Sequence, residues 1–87
     1  MSNLSFSDIA WEDYLYWQAT DKKILRKINE LLKDIQRNGA SQGIGKPEAL
    51  KYRKAWSRRI THEHRLVYSV LADETIIIYS LKGHYED

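Results

Sequence analysis

The chain contains no cysteine. No disulfide or thiolate metal centre can support its fold, and nothing points to an oxidising compartment. No apolar stretch approaches the length needed to span a bilayer, so no membrane partner is expected. The opening residues, Met1-Ser2-Asn3-Leu4-Ser5-Phe6, lack the basic region and apolar run of a signal peptide. There is no internal repeat, low-complexity tract or linker. The glycines between Asn38 and Gly45 are not followed by Gly-Lys-Ser/Thr, which argues against a nucleotide P-loop. What remains is a chain of 87 residues, expected to be cytoplasmic and to form a single domain over 1–87.

Net charge is only +2, but it is unevenly spread. The segment from Lys46 to Arg65 holds seven Lys or Arg against Glu48 and Glu63, a local charge of +5, and the rest of the chain carries −3. A basic centre beside a mildly acidic remainder suits a polyanion partner. It equally suits an exposed edge strand guarded by cations.

The periodicity predicts two helices followed by strands. Ser7 can cap a first helix, with Asp8 in its first turn. Trp11, Tyr14, Leu15 and Gln18 follow helical spacing. Thr20 can cap a second helix, on which Ile24, Ile28, Leu31, Leu32 and Ile35 recur at helical intervals. Gly39 ends it, and residues 38–45 form a flexible loop. The period then changes to two, with strand candidates at 55–61, 64–71 and 75–81. The run Thr75-Ile76-Ile77-Ile78-Tyr79-Ser80-Leu81 is expected to be central. With a short strand at 3–6, the order is β-α-α-β-β-β. This is an α+β domain, with both helices on one face of an antiparallel-rich sheet.

Within the hairpin, alternation places Trp56, Arg58 and Ile60 on one face and Ser57, Arg59 and Thr61 on the other. If the hairpin loop has an odd number of residues, such as His62 to His64, Arg59 faces Val67 and Arg59 and Arg65 are diagonal neighbours on one face; an even loop would split the pair. Two guanidinium groups fixed on a sheet suit a phosphate. Glu48 precedes the strands and His84 follows them. A carboxylate and an imidazole flanking two arginines suffice for RNA cleavage by general acid–base catalysis without a metal or cofactor. Taken singly, Glu48 and His84 also suit solvated loop and terminal positions. Lys46 and Arg58, within the cationic segment, are further candidates for RNA contact. His62 and His64 lack a third ligand, so a zinc site is not expected. The aromatic residues Trp11, Tyr14, Tyr16 and Trp17 suit either a base-stacking platform or packing. Tyr85 suits either stacking on a base or packing against the sheet.

The segments Trp11-Glu-Asp-Tyr-Leu-Tyr-Trp17, Thr20-Asp-Lys-Lys-Ile24, Lys27-Ile-Asn-Glu-Leu31, Gly45-Lys-Pro-Glu48, Trp56-Ser-Arg-Arg-Ile-Thr61, Glu63-His-Arg-Leu-Val-Tyr68 and His84-Tyr85 occur in order along nearly the whole chain. Together they resemble the YoeB family of bacterial toxins, within the RelE superfamily of messenger-RNA interferases. The resemblance implies a microbial-ribonuclease-like (RelE-like) fold. It also implies a ribosome-dependent endoribonuclease that cuts messenger RNA in the A site, held inactive by a Phd/YefM-type antitoxin. The family's general base falls on Glu48, its phosphate-binding arginines on Arg59 and Arg65, its general acid on His84 and the neighbouring tyrosine on Tyr85. Lys51 matches a basic residue lining the same site. Operator DNA would be met only through the antitoxin complex, and a homodimer is possible. Two features depart from the family pattern. The Lys51–Trp56 turn is shorter and lacks glycine, and Glu86-Asp87 follow the terminal His-Tyr pair. A non-catalytic basic module that blocks the ribosome, or acts as an antitoxin-bound co-repressor, is the alternative reading. A third is an interaction protein that uses the aromatic residues of the first helix.

Overall fold

A computed structural model describes residues 3–84. The elements are β1 (Leu4–Phe6), α1 (Asp8–Thr20), α2 (Lys22–Asn38), β2 (Glu48–Ala49), β3 (Trp56–Arg59), β4 (Arg65–Val70) and β5 (Ile76–Ser80). The strands form one sheet in the order β1-β5-β4-β3-β2. Only β1–β5 is parallel; β2–β3, β3–β4 and β4–β5 are antiparallel. The expected α+β class holds, with two corrections. A short strand, β2, is added before β3, because Glu48 and Ala49 pair with Ser57 and Trp56. The isoleucine-rich β5 is interior, but the centre of the sheet is β4.

The helices begin where capping chemistry directs. Ser7 caps α1, its Oγ accepting from the Ala10 N–H at 3.0 Å. The same hydroxyl donates to the Tyr79 carbonyl at 2.8 Å, tying the helix start to β5. The second cap is Asp21, not Thr20. Its carboxylate accepts from the Lys23 and Ile24 N–H groups, whereas the Thr20 hydroxyl turns back to the Tyr16 carbonyl. The break between the helices is therefore this one residue.

Ile28, Leu31, Leu32 and Ile35 are the buried residues of α2, as their spacing predicts. They pack with Ala10 and Trp17 of α1 against Leu66 and Tyr68 of β4 and Ile76 and Ile78 of β5. Burying each such aliphatic side chain is worth about 1.5–3 kcal/mol. This packing assigns one face of the sheet to the helices. Residues of opposite parity, including Arg59 and Arg65, face the other way.

Arg58 belongs to the helix-side parity and is fully buried. It ion-pairs with Asp34 of α2 and donates to the Tyr68 hydroxyl and to the Gly39, Gln42 and Ile44 carbonyls. The Tyr68 hydroxyl donates in turn to the Ala40 carbonyl at 2.6 Å. The expectation of RNA contact by Arg58 is thus corrected: no part of this side chain reaches a ligand. The loop after α2 is likewise bound to a buried guanidinium rather than left free. Burial disfavours the Asp34 carboxylate, but bonds from Arg58, the Ile44 N–H and Asn38 outweigh it and hold its pKa below the usual value. Burial dominates at Tyr68 and raises its phenol pKa, partly offset by Arg58.

Candidate active site

The cleft lies on the sheet face away from the helices. Glu48 pairs with Ser57, and Arg59 pairs with Arg65. Paired residues share a face, so the added strand β2 puts Glu48 on the face of the two arginines. The Arg59–Arg65 register corrects the expected diagonal arrangement. The turn runs from Ile60 to His64, because Ile60 is drawn into the core and both the Ile60 and Thr61 N–H groups bond the His64 carbonyl. The odd loop length holds, but the arginines stand directly opposite. The Arg59 N–H bonds the Gly45 carbonyl and the Arg65 N–H bonds the Gly83 carbonyl, each pointing away from the other. This is a non-hydrogen-bonded antiparallel pair, the closer of the two types, with Cα atoms about 4.5 Å apart.

Those two outward bonds also dock the flanking segments. Gly45 leads through Lys46 and Pro47 to Glu48, and Gly83 leads to His84. A cleft of about 340 Å³ results, lined by Lys46, Glu48, Ala49, Leu50, Ser57, Arg59, Arg65 and His84. Both residues expected to do acid–base chemistry, both arginines and Lys46 are therefore brought together. Lys46 has a φ of +53° and Gly45 one of +82°. A Cβ on Gly45 would lie 2.8 Å from Leu31 Cδ2, so this close approach requires glycine.

Arg65 Nη1 donates to the carbonyls of Thr61, His62 and His64 at 2.8, 3.1 and 3.2 Å. These bonds stiffen the turn and orient the guanidinium without using its Nε–H. Arg59 and Glu48 are exposed.

Lys51 does not line this cleft. It borders an adjoining hollow of about 680 Å³ with Tyr52, Arg53, Lys54 and Ser69, whose lining has neither a carboxylate nor an imidazole. The Lys51 ammonium sits over the Tyr52 ring, and the Arg53 guanidinium over Tyr79. Tyr85 lies outside the described residues. Trp17 is buried, its indole N–H donating to the Leu81 carbonyl, so packing is its role; Trp11 and Tyr16 are about half exposed.

Sequence reasoning missed the function of Arg58 as the anchor of the loop before Glu48. The signal was its shared parity with Trp56 and Ile60. It also missed His64, whose partner is 19 positions away.

The fold and the cleft define a class: a small α+β domain that presents clustered cations, a carboxylate and an imidazole on the open face of its sheet. Comparison with known proteins narrows it. The family profile for the YoeB-like toxin of bacterial type II toxin-antitoxin systems matches residues 6–85, and the chain belongs to that family. It is 54% identical over 84 residues to toxin YoeB of Escherichia coli (strain K12), a match covering 94% of this chain and 98% of that one. Among solved structures it is similar to the toxin in a YoeB–YefM complex from Staphylococcus aureus (TM-score 0.90, 57% identity, 98% of this chain and 99% of that one). It is equally similar to the YoeB dimer of the same organism (TM-score 0.90, 58% identity, 97% and 98% covered).

Proposed function

We propose that this toxin is a ribosome-dependent endoribonuclease that cuts messenger RNA in the A site and so inhibits translation. The observation that carries the reading is the convergence of Glu48, Arg59, Arg65 and His84 on one cleft. Glu48 takes the proton from a ribose 2′-hydroxyl, and that oxygen attacks the adjacent phosphorus. As the bond to the 5′-oxygen breaks, the His84 imidazolium donates a proton to it. The products are a 2′,3′-cyclic phosphate and a 5′-hydroxyl. Each acid–base partner contributes about 10²–10⁴ in rate. Arg59 and Arg65 stabilise the charge on the five-coordinate phosphorus, and Lys46 raises the local potential. Lys51 and Tyr85 are proposed as flanking contacts to the RNA.

The cell must hold such an activity in check. We assign that role to a YefM-type antitoxin, by analogy with the Staphylococcus aureus complex, through an acidic segment laid over the basic cleft. The substrate places the activity in the cytoplasm.

Primer extension on a defined message with programmed ribosomes tests the nuclease, in single turnover and with EDTA at a level the ribosome tolerates. The expected result is a discrete A-site cut by wild type that Glu48→Gln and His84→Gln slow by about 10²–10⁴. An intact message on stalled ribosomes would move the function to a non-catalytic block of the A site.

A further inference from the structure

The segment that delivers His84 to the cleft has no regular structure, yet it is held at every step. The Leu81 N–H donates to Asp13 Oδ2 at 2.9 Å, and the Leu81 carbonyl accepts from the Trp17 indole at 2.9 Å. The Lys82 ammonium lies over the Tyr16 ring, 4.0 Å from its centroid. The Gly83 carbonyl accepts from the Arg65 N–H. The other backbone polar group of that residue, the Gly83 N–H, donates to His64 Nδ1 at 2.9 Å. The His64 ring stands edge-on to Trp17, with centroids 4.7 Å apart and planes at 69°. To accept, Nδ1 must present its lone pair, so a neutral ring carries its proton on Nε2. His64 begins the run into β4, one residue before Arg65. A single stretch of backbone therefore carries one cleft arginine and holds both polar groups of the residue preceding His84.

We propose that His64 is a positioning residue for His84. Its Nδ1 fixes the Gly83 N–H, and with the Arg65 bond to the Gly83 carbonyl this sets the direction from which His84 enters the cleft. The inference rests on the acid role given to His84 above. His64 itself touches neither RNA nor a reacting atom. A general acid acts only within hydrogen-bond reach of the leaving oxygen, and a misplacement of about 1 Å costs on the order of 10²-fold. Gly83 has a φ of +86°, with nothing within 4 Å of a Cβ built on it. Gly83 has no side chain of its own to hold it, so at this residue the restraint falls on its two backbone bonds.

Two substitutions separate the acceptor from the packing. His64→Phe keeps a ring against Trp17 and removes the acceptor. His64→Asn shortens the side chain but places Oδ1 near the position of Nδ1. In single-turnover cleavage on programmed ribosomes, His64→Phe is expected to lower the saturating rate by about 10–100-fold. The half-saturating ribosome concentration should stay unchanged, and His64→Asn should recover most of the loss. Independently of activity, ¹⁵N-labelled wild type should show scalar coupling across the hydrogen bond between the Gly83 amide nitrogen and His64 Nδ1. Absence of that coupling in wild type overturns the proposal without recourse to any variant. So does a folded His64→Phe that cuts as fast as wild type, or a folded His64→Asn as slow as the phenylalanine variant. Wild type that shows the coupling but never cuts removes the nuclease reading, and with it the catalytic meaning of the tether.

Discussion

At the scale of single residues, Arg58 and Arg59 are adjacent and chemically identical, and strand parity sends them to opposite fates. Arg58 is enclosed by Asp34, Tyr68 and three loop carbonyls, whereas Arg59 stands in the cleft. Arg58→Ala would strand the Asp34 carboxylate and the loop carbonyls, and should cost about 3–5 kcal/mol in urea unfolding. Arg58→Lys should rescue little, because an ammonium cannot reproduce a planar fork serving five acceptors. Arg59→Ala should leave the unfolding midpoint nearly unchanged, whereas Arg65→Ala also loses its three bonds to the turn carbonyls and should lower it; each should lower cleavage by about 10²–10³. Asp34 gives the pH signature of the buried pair. Its folded pKa lies below its unfolded value of 3.8, so its contribution to stability is complete above that value. The contribution is lost as pH falls toward and through the folded pKa. The urea midpoint of wild type should therefore drop as pH falls below the unfolded value and on through the lower folded one. Asp34→Asn should begin lower and change less over the same range; parallel curves for the two proteins would contradict this account. The parity of Arg58 was legible beside Trp56 and Ile60. Its full burial was not, because the partners that neutralise it come from α2 and the loop after it, 14 to 24 positions away.

At the scale of elements, the cleft is assembled by short pieces docked on a regular hairpin. α2 was legible because four core residues recur on one helical face. β2 was not, because two residues after a proline carry no period of their own; pairing with β3 creates the strand. The β3–β4 register escaped for a related reason. Alternation fixes which face a side chain takes, but the length of the turn depends on whether Ile60 pairs as strand or is drawn into the core. The loop before β2 makes this dependence testable. A Cβ at Gly43 would fall 1.8 Å from Asp34 Oδ2 and 2.9 Å from Arg58 Nη1, at a φ of +124°. At Gly39 the φ is +86°, with nothing within 4 Å. Gly39→Ala should therefore show only a backbone cost of about 1–3 kcal/mol. Gly43→Ala should add disruption of the Arg58–Asp34 pair and, through Gly45 and Lys46, displace Glu48. Paired urea unfolding and cleavage assays check this: Gly43→Ala should lose more stability than Gly39→Ala and more activity than that difference in folding explains.

At the scale of the whole molecule, two layers divide the labour. The helix-side face supplies the core and leaves the opposite face of the sheet to carry charge, so the +5 segment at 46–65 contributes Lys46, Arg59 and Arg65 to one concave surface. The family resemblance made Glu48, Arg59, Arg65 and His84 legible as a set, although composition alone left a guarded edge strand as an equal reading. Concave clustering of like charge focuses the field and raises the encounter rate with polyanions, with a strong dependence on ionic strength. An antitoxin segment seated on this surface would compete with RNA for the same cations. The molecule offers a second, apolar surface around Leu4, Phe6, Trp11 and Tyr14, a hollow of about 410 Å³. Binding there would be driven by burial and would respond little to salt. The two modes separate cleanly in a titration with a YefM-type antitoxin. If the acidic segment covers the cleft, the dissociation constant should rise at least roughly tenfold between 0.1 and 0.5 M salt, mostly through a slower association rate. Arg59→Glu should weaken binding at low salt and flatten that dependence. A dissociation constant indifferent to both salt and Arg59→Glu would place the antitoxin on the apolar surface, and inhibition would then have to act on the cleft from a distance.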